Sequence, residues 1–345
     1  MADRNAFTSN SFARRQLYFE RAKTALYREY GTVTGNLVRV LTRELSRRQL
    51  ANLGAYTKGQ LRALIRDVLE QFDSRSSDFY DEVAAWLGIA VEDEAAFTVA
   101  TLNLALDREE ETPKVRDDVF TGIIAATGLG VLETLRDHNR TQRNNVRKHI
   151  QRAWANNLSI QETIRSFQGT RTRRFKDGLV ARMQRFAEAT VATVAQFGES
   201  VGRAAALQPF LDVVIGYTWV SILDGKTSAI CRSLSGRNFR FGTGPLPPMH
   251  FNCRSHIEPT FRSGTVFART GGRVIDAGET YYSWLQRQTK QFQNDVLGPT
   301  RGDLFRNGGL TSDQFSRLNL NRRFEPLTLD EMRSRQPEVF REANV

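Results

Sequence analysis

The feature that most constrains this chain is a stretch near its middle, residues 213–259, which contains both cysteines of the protein and two of its four histidines. It begins with VVIGYTWVS, a run rich in β-branched and aromatic residues that predicts a β-strand. A polar turn, DGKT, follows, and then come Cys231 and the segment PLPPMHFNCRSH. This clustering predicts a small folded knot in which the thiol and imidazole groups lie close together.

The spacing of these groups is compatible with a metal site. His250 and Cys253 are separated by two residues just after a proline-rich turn, which is a common way to direct two side chains at one ion. Cys231 would come from an earlier loop, and Asp224 or His256 would complete four ligands. Thiolate and imidazole ligands in tetrahedral geometry suit zinc, so one zinc ion is one interpretation. The other is that the cysteines are buried as small apolar residues, or form a disulfide in an oxidising environment, while hydrogen bonds satisfy the polar groups.

At these residues the chain resembles the phage Mu F-like minor head proteins, also called phage head morphogenesis proteins. The resemblance consists of an aromatic strand, an acidic turn, a cysteine and a Pro-x-His-x-x-Cys-Arg segment, found here at residues 217–219, residues 224–227, Cys231 and residues 248–254. A looser resemblance extends from about residue 157 to the end of the chain. The last cysteine of the family pattern is Ser255 here, so its part must be absent or be taken by His256.

The resemblance implies a structural protein and not an enzyme. Such a protein is a minor capsid component, present in few copies in the capsid interior near the portal vertex and in the host cytoplasm during assembly. Its partners would be the portal protein, the major capsid or scaffold protein, and double-stranded DNA bound without sequence preference, and some such proteins are thought to leave with the DNA on ejection. No membrane partner is implied.

An enzyme is the alternative from a different class. In that interpretation a zinc-bound water, or a Cys231 nucleophile with His250, hydrolyses a phosphodiester or peptide bond. The site would also need a general base, for which Glu258 or Asp224 are the nearby candidates. The sequence has no HExxH motif, no nucleophile elbow and no glycine-rich phosphate loop, which favours the structural interpretation.

The composition limits the classes of protein and of partner that need to be considered. A chain of 345 residues with 40% hydrophobic content can bury a substantial core. The net charge of +11 favours acidic partners, with nucleic acid ahead of a membrane surface. The N-terminus has no apolar signal region, and no apolar run is long enough to span a bilayer. We therefore expect a soluble protein kept in a reducing cytoplasm.

The fold class expected is α+β, predominantly α. Apolar residues at helical spacing predict a helix that ends at Gly31, a second that ends near Gly54, and a third that begins with a capping box of Thr57 and Gln60. A closing strand at residues 257–261 and a loop at Gly271 and Gly272 follow later in the chain. The expected segments are an N-terminal helical bundle, a basic helical region, the knot with a small antiparallel sheet, and C-terminal helices with a tail, at residues 1–112, 113–208, 209–265 and 266–345.

Positive charge is concentrated in the second segment. From Arg136 to Arg185 there are thirteen basic and three acidic residues, so almost the whole net charge lies there. The candidate nucleic-acid-binding residues are Arg140, Arg143, Arg147, Lys148, Arg152, Arg171, Arg173, Arg174 and Lys176. Such residues would neutralise phosphates without reading sequence. A solvated basic face, or a surface that docks on an acidic protein, is the alternative, and the few aromatic residues nearby make stacking on single strands a weaker interpretation.

Overall fold

The computed structural model describes residues 4–48, 50–265, 274–275 and 279–345. These residues form long and short α-helices together with three small antiparallel sheets, so the predicted α+β, predominantly α class is confirmed. The predicted loop at Gly271 and Gly272 lies outside the described residues. In the described ranges, no helix combines the length and the apolarity that crossing a bilayer requires.

The chain divides into two compact units. The first, here called the helical unit, comprises residues 17–90 and 116–198. The second, here called the sheet unit, comprises residues 1–16, 91–115 and 199–345. Each unit joins segments that are distant in the sequence, so neither coincides with one of the four consecutive segments expected.

The helical unit is built from long amphipathic helices. Its elements are α1 (Ala6–Arg47) from residue 17, α2 (Lys58–Leu106) to residue 90, α3 (Arg116–Thr121), the hairpin of β2 (Ile123–Ile124) and β3 (Leu129–Gly130), α4 (Val131–Ala155), α5 (Ile160–Gln168), and α6 (Leu179–Ala206) to residue 198. Apolar side chains at helical spacing line its core, among them Phe19, Tyr30, Leu41, Phe72, Leu87 and Ile150.

The prediction that a helix ends at Gly31 is wrong, because α1 continues through this residue to Arg47. Tyr30 and Leu37, which flank the glycine, are both buried. Burial of this continuous stripe outweighs the cost of a glycine inside a helix, which is about 1 kcal/mol. The end predicted near Gly54 is also too late by several residues. The capping box that starts α2 is confirmed, since the Thr57 hydroxyl accepts from the Gln60 amide and the Gln60 side chain accepts from the Thr57 amide.

The sheet unit contains a three-stranded antiparallel sheet in the order β5 (Asn238–Phe239), β4 (Val214–Val220), β6 (His256–Phe261). The predicted aromatic strand and the predicted closing strand are therefore confirmed as neighbours. Trp219 lies opposite Ile257 in this register, and both are buried. Elsewhere in the unit, β1 (Arg4–Asn5) pairs with β7 (Val274–Ile275).

Short helices complete the sheet unit. They are α7 (Ala229–Leu234), α8 (Tyr281–Gln286), α9 (Lys290–Leu297), α10 (Pro299–Asn307), α11 (Ser312–Leu318), α12 (Leu329–Arg335) and α13 (Pro337–Glu342). The C-terminal helices pack around a core that includes Tyr282, Leu285, Phe315 and Met332. A second, smaller core joins Trp219 to Leu234, Leu320 and the two cysteines.

A buried arginine links the helices of the sheet unit to its sheet. The guanidinium of Arg203 on α6 is fully enclosed and donates a hydrogen bond from each nitrogen, to Glu94 at 2.7 Å, Glu199 at 2.9 Å and the Ile257 carbonyl at 3.0 Å. The ring of Phe12 covers it at 4.8 Å from the centroid. The buried charge is paired with carboxylates and every nitrogen has a hydrogen-bond partner. These interactions offset the free-energy cost of removing the guanidinium from water.

Candidate metal centre and basic region

The first cysteine of the cluster is fixed by a helix cap. The hydroxyl of Ser228 accepts a hydrogen bond from the Cys231 amide at 3.2 Å, which starts α7 and places the thiol in its first turn. The carbonyl of Cys231 accepts from the hydroxyl of Ser221 at 2.8 Å, and that hydroxyl in turn accepts from the indole nitrogen of Trp219 at 3.0 Å. The thiol is therefore held between a helix cap and the end of strand β4.

A tight turn supplies the other two groups. The Cys253 amide donates to the His250 carbonyl at 3.2 Å, which brings both side chains to the same side of the loop. His250 Nδ1 donates to the Phe251 carbonyl at 2.8 Å, so that in the neutral ring, the form that binds metal, Nε2 carries the lone pair. A backbone partner on one ring nitrogen is the usual way in which a protein orients a histidine ligand. Nε2 is directed at Cys231 Sγ at 3.1 Å and at the Ser228 hydroxyl at 2.7 Å.

Cys231, His250 and Cys253 thus form one group, with their ligand atoms all within 4.8 Å of one another. The sulfurs of the two cysteines are 3.6 Å apart and both thiols are free and buried. This confirms in part the expectation of a metal site, because a Cys-His-Cys group within metal-binding distance is present.

The three groups shift one another's pKa values. A hydrogen bond from the Cys231 thiol, joined by the hydrogen bond and charge of His250, lowers the pKa of Cys253 well below its ordinary value. The same sulfur–sulfur hydrogen bond, together with burial, raises the pKa of Cys231. Burial lowers the pKa of His250, but the hydrogen bond and charge of Cys253 outweigh it, so the pKa is raised. Cys253 is therefore the group that most readily becomes a thiolate, the form that binds metal.

The geometry of the group fits a tetrahedral ion. Zinc-to-sulfur distances of about 2.3 Å place two sulfurs of a tetrahedral site about 3.8 Å apart. The observed separation of 3.6 Å is close to that edge. The distance of 3.1 Å from Cys231 Sγ to His250 Nε2 is shorter than a tetrahedral edge and matches a hydrogen bond between them. Small movements of the side chains would accommodate zinc.

Asp224 and His256, the other predicted ligands, are not part of this group. The carboxylate of Asp224 binds the guanidinium of Arg254 through both oxygens, and this pairing lowers its pKa. His256 lies on β6 and contacts Glu258 through Nε2 at 3.2 Å. Asp224 instead joins the acidic turn to the His-x-x-Cys loop, which is a structural role that the sequence did not predict.

The space beside the cluster is very small. A cavity of about 10 Å³ is lined by Cys231, His250 and Ser255, among others. This volume is at most the size of a single water, so side chains fill most of the space beside the cluster. Ser255, which stands where the family pattern has its last cysteine, is buried, and its hydroxyl lies 3.1 Å from that of Ser221.

Ser228 and Ser221 were not among the predicted site residues. Ser228 had a recognisable signal, because a serine three residues before Cys231 is the spacing of a helix N-cap. Ser221 had none, since its role depends on where strand β4 ends relative to α7.

The nine predicted nucleic-acid-binding residues fall into separate groups in the helical unit. Five of them lie on α4. Arg140, Arg143 and Arg147 share one face of this helix, and Lys148 and Arg152 lie about a third of a turn away around its axis. Arg143 pairs with Asp73 at 2.8 Å and Arg140 lies 3.6 Å from Asp137, so part of this face is already neutralised. In the described part of the chain, Lys148 and Arg152 form no ion pair.

The other four, Arg171, Arg173, Arg174 and Lys176, are exposed on the loop between α5 and α6. Asp177 closes the base of this loop by accepting from the Thr170 amide and hydroxyl, both at 2.7 Å. Gly169 and Gly178 meet there so closely that a Cβ on Gly178 would lie 2.4 Å from the Gly169 nitrogen.

The tip of the same loop has an unusual backbone. Arg174 and Phe175 have φ values of 51° and 59°, and the Phe175 ring is 55% exposed. Two successive non-glycine residues with positive φ cost free energy, which a disordered loop would avoid. Residues 170–177, whose base Asp177 closes, are called the basic loop below.

Comparison with known proteins found no matching family model, no similar curated protein and no similar solved structure.

Proposed function

We propose that this chain is a structural component of a bacteriophage head, of the Mu F-like minor head protein type, which acts at the portal vertex of the assembling capsid. The observation that carries the proposal is that the residues of the resemblance belong to one knot. Trp219, the Asp224 turn, Cys231 and the segment from His250 to Arg254 are joined by the contacts described above. Because the residues of the motif hold one another in place through these contacts, a structural role is favoured over a catalytic one.

Zinc would stabilise this knot. Cys231, His250 and Cys253 would hold the ion. Ser228 and Ser255 line the small cavity beside these residues and would restrict the size of a fourth ligand. A structural zinc site contributes directly to folding free energy, because the ligands do not form a site in the unfolded chain. The cavity of about 10 Å³ favours this role over hydrolysis, which requires an open metal position and room for a substrate.

The basic loop, together with Lys148 and Arg152 on α4, would contact packaged DNA. Their cations are exposed and lie on a framework of helices, which suits contact with phosphates and provides no means of reading bases. Binding would therefore be independent of sequence and would weaken steeply with salt.

The test is to express a tagged copy of the chain in cells that produce the phage. We expect the portal protein to co-purify with it and the tagged chain to be present in purified particles. Cys253→Ser should reduce its incorporation, whereas the exposed Ser263→Ala, a control in the same unit, should not. A chain that never enters particles, or purified protein with zinc-dependent hydrolysis that is lost in Cys231→Ser, would refute the proposal.

A further inference from the structure

A cleft of about 310 Å³ lies between helices α4 and α6 of the helical unit. Lys148 and Arg152 of α4 and Arg182 of α6 bring three positive charges to it. The apolar side chains of Leu179 and Met183 form part of its wall. No acidic residue lines the cleft, and among the residues that the structure describes none of the three cations forms an ion pair.

The charges in the cleft act on a histidine that also lines it. His149 is packed against the Phe167 ring and has Ser166 at 2.9 Å from Nε2, both on α5. Burial, and then the charges of Arg182 on α6 and Arg152 on its own helix, lower the pKa of His149. The cleft is therefore a region of positive potential that an anion would neutralise.

A second, independent feature of the cleft is an unsatisfied acceptor. Gln142 lines it and is 1% exposed. Its Nε2 donates to the Met183 carbonyl at 3.2 Å and to His138 Nε2 at 2.8 Å. The side-chain oxygen Oε1 is buried and has no hydrogen-bond partner in the described part of the chain. A buried acceptor without a partner costs about 1 to 3 kcal/mol, and a ligand with an N–H or O–H group would remove that cost.

We propose that this cleft binds a nucleotide, with the phosphate held by Lys148, Arg152 and Arg182 and a donor of the base or sugar directed at Gln142. The volume suits the ligand, since small-molecule pockets begin at about 300 Å³. Arginine and lysine side chains are the usual partners of phosphate. The apolar wall would cover the sugar or base. This site shares Lys148 and Arg152 with the non-specific DNA contact proposed above, but it also uses Arg182 and Gln142 and does not depend on the chain being a head protein.

The nucleotide has two possible sources, a free mononucleotide or the 5′-phosphorylated end of a single DNA strand. Calorimetric titration of the full-length protein with dTMP, with a 5′-phosphorylated oligo-dT, with the same oligo-dT lacking the phosphate, and with inorganic phosphate distinguishes them. We expect dTMP to bind more tightly than inorganic phosphate, because only dTMP can place its phosphate on the three cations and a separate donor on Gln142 at the same time. Tighter binding of the phosphorylated oligo-dT than of dTMP and of the unphosphorylated strand would identify a DNA end as the ligand, and equal or weaker binding would identify the free nucleotide.

The variant Arg182→Gln tests the cleft, and Arg185→Gln is its matched control, because it removes the same charge from the same helix at a residue that does not line the cleft. Arg182→Gln should weaken dTMP binding by about tenfold or more, the effect of one charge-assisted hydrogen bond, and Arg185→Gln should have little effect. Equal weakening by both variants would show a diffuse charge effect and refute the site, as would the absence of dTMP binding.

Histidine-labelled NMR spectra provide a readout that does not depend on affinity. The chain has four histidines, and the signal of His149 can be assigned with His149→Gln. Saturating dTMP should raise the pH at which His149 titrates, since a bound phosphate offsets the charges of Arg152 and Arg182. An unchanged titration of His149 in the presence of bound dTMP would place the nucleotide elsewhere and refute the proposal.

Discussion

The guanidinium of Arg254 binds both carboxylate oxygens of Asp224, at 2.8 and 2.9 Å, and so joins the acidic turn to the loop that carries His250 and Cys253. A bidentate pair of this kind fixes the relative position of two backbone segments. Asp224 contributes to the cluster by positioning the loop, while the Cys-His-Cys group itself consists of Cys231, His250 and Cys253.

This arrangement predicts which residues metal binding requires. Purified protein should contain one zinc per chain, and Cys231→Ser or Cys253→Ser should lose it, because two ligands cannot hold the ion tightly. Asp224→Asn should retain the zinc and lower the melting temperature. Elemental analysis of the three variants checks the prediction. Loss of zinc in Asp224→Asn, or a fully folded protein without metal, would contradict it.

Ser255 offers a gain-of-function test. It is buried beside the cluster and occupies the position of the missing cysteine in the family pattern. Ser255→Cys should supply a fourth ligand and strengthen zinc binding by about tenfold or more. Competition with a chromogenic chelator measures the change, and Ser233→Cys, another buried serine of the same unit, is the control. Equal affinities of Ser255→Cys and the unmodified protein would show that this side chain cannot reach the ion.

Arg203 should be essential for the stability of the sheet unit. Arg203→Met leaves Glu94 and Glu199 buried without their shared cation and should lower the free energy of unfolding by about 3 to 5 kcal/mol. Arg108→Met removes an exposed ion pair with Asp212 and should cost about 1 kcal/mol or less. Urea denaturation compares the two. Similar losses of unfolding free energy in the two variants would show that burial of an ion pair does not determine how much its removal destabilises the protein.

His138 should make the helical unit sensitive to acid. It is buried, with Tyr80 at 2.6 Å from Nδ1 and Gln142 at 2.8 Å from Nε2, and burial lowers its pKa from 6.5 to about 3. Between these pH values the unfolded chain binds a proton that the folded chain does not. Stability is therefore fully present above pH 6.5 and is lost towards pH 3, by at most about 1.4 kcal/mol per pH unit from this group.

The substitution His138→Gln separates this contribution from that of the carboxylates. It should lower stability at neutral pH, since the pocket is shaped for the imidazole, and should flatten the decline of unfolding free energy below pH 6.5. Urea titrations at a series of pH values measure both effects. An identical pH dependence in the variant and the unmodified protein would show that the pKa of His138 is the same in the folded and unfolded chain.

The basic loop should account for a defined part of DNA binding. In Arg171→Gln/Arg173→Gln, the slope of log affinity against log salt concentration for duplex DNA should fall by about 2, since about 0.9 counterions are released per phosphate contact. The control Arg322→Gln/Arg323→Gln removes the same charge at exposed residues of the sheet unit and should leave the slope unchanged. Fluorescence anisotropy at several salt concentrations gives the slopes, and equal slopes for the two variants would exclude the loop as the contact.

The substitution Asp177→Ala tests whether DNA binding depends on the conformation of the basic loop or only on its net charge. The substitution removes an acidic group, so attraction alone predicts tighter DNA binding. It also releases the Thr170 amide and hydroxyl that close the loop, and we expect the loss of order to weaken binding despite the added positive charge. Tighter binding by Asp177→Ala would show that the arrangement of the loop is unimportant.

The sequence by itself determined the elements whose cause is local. The capping box at Thr57, the aromatic strand containing Trp219 and the closeness of His250 to Cys253 each depend on groups a few residues apart, and each is present in the structure. The stop predicted at Gly31 failed because a local preference of about 1 kcal/mol is smaller than the gain from burying a continuous helix face.

Only the tertiary structure decided which distant groups meet. The composition and spacing of the sequence are as compatible with Asp224 beside the cysteines and His250 as with Asp224 paired to Arg254, thirty residues further along the chain. The burial of Arg203 and the meeting of Lys148 with Arg182 in one cleft likewise left no local pattern. The physical reason is that such pairings depend on how helices and strands pack, and packing is fixed by the sum of many weak contacts across the chain and not by the spacing of any one motif.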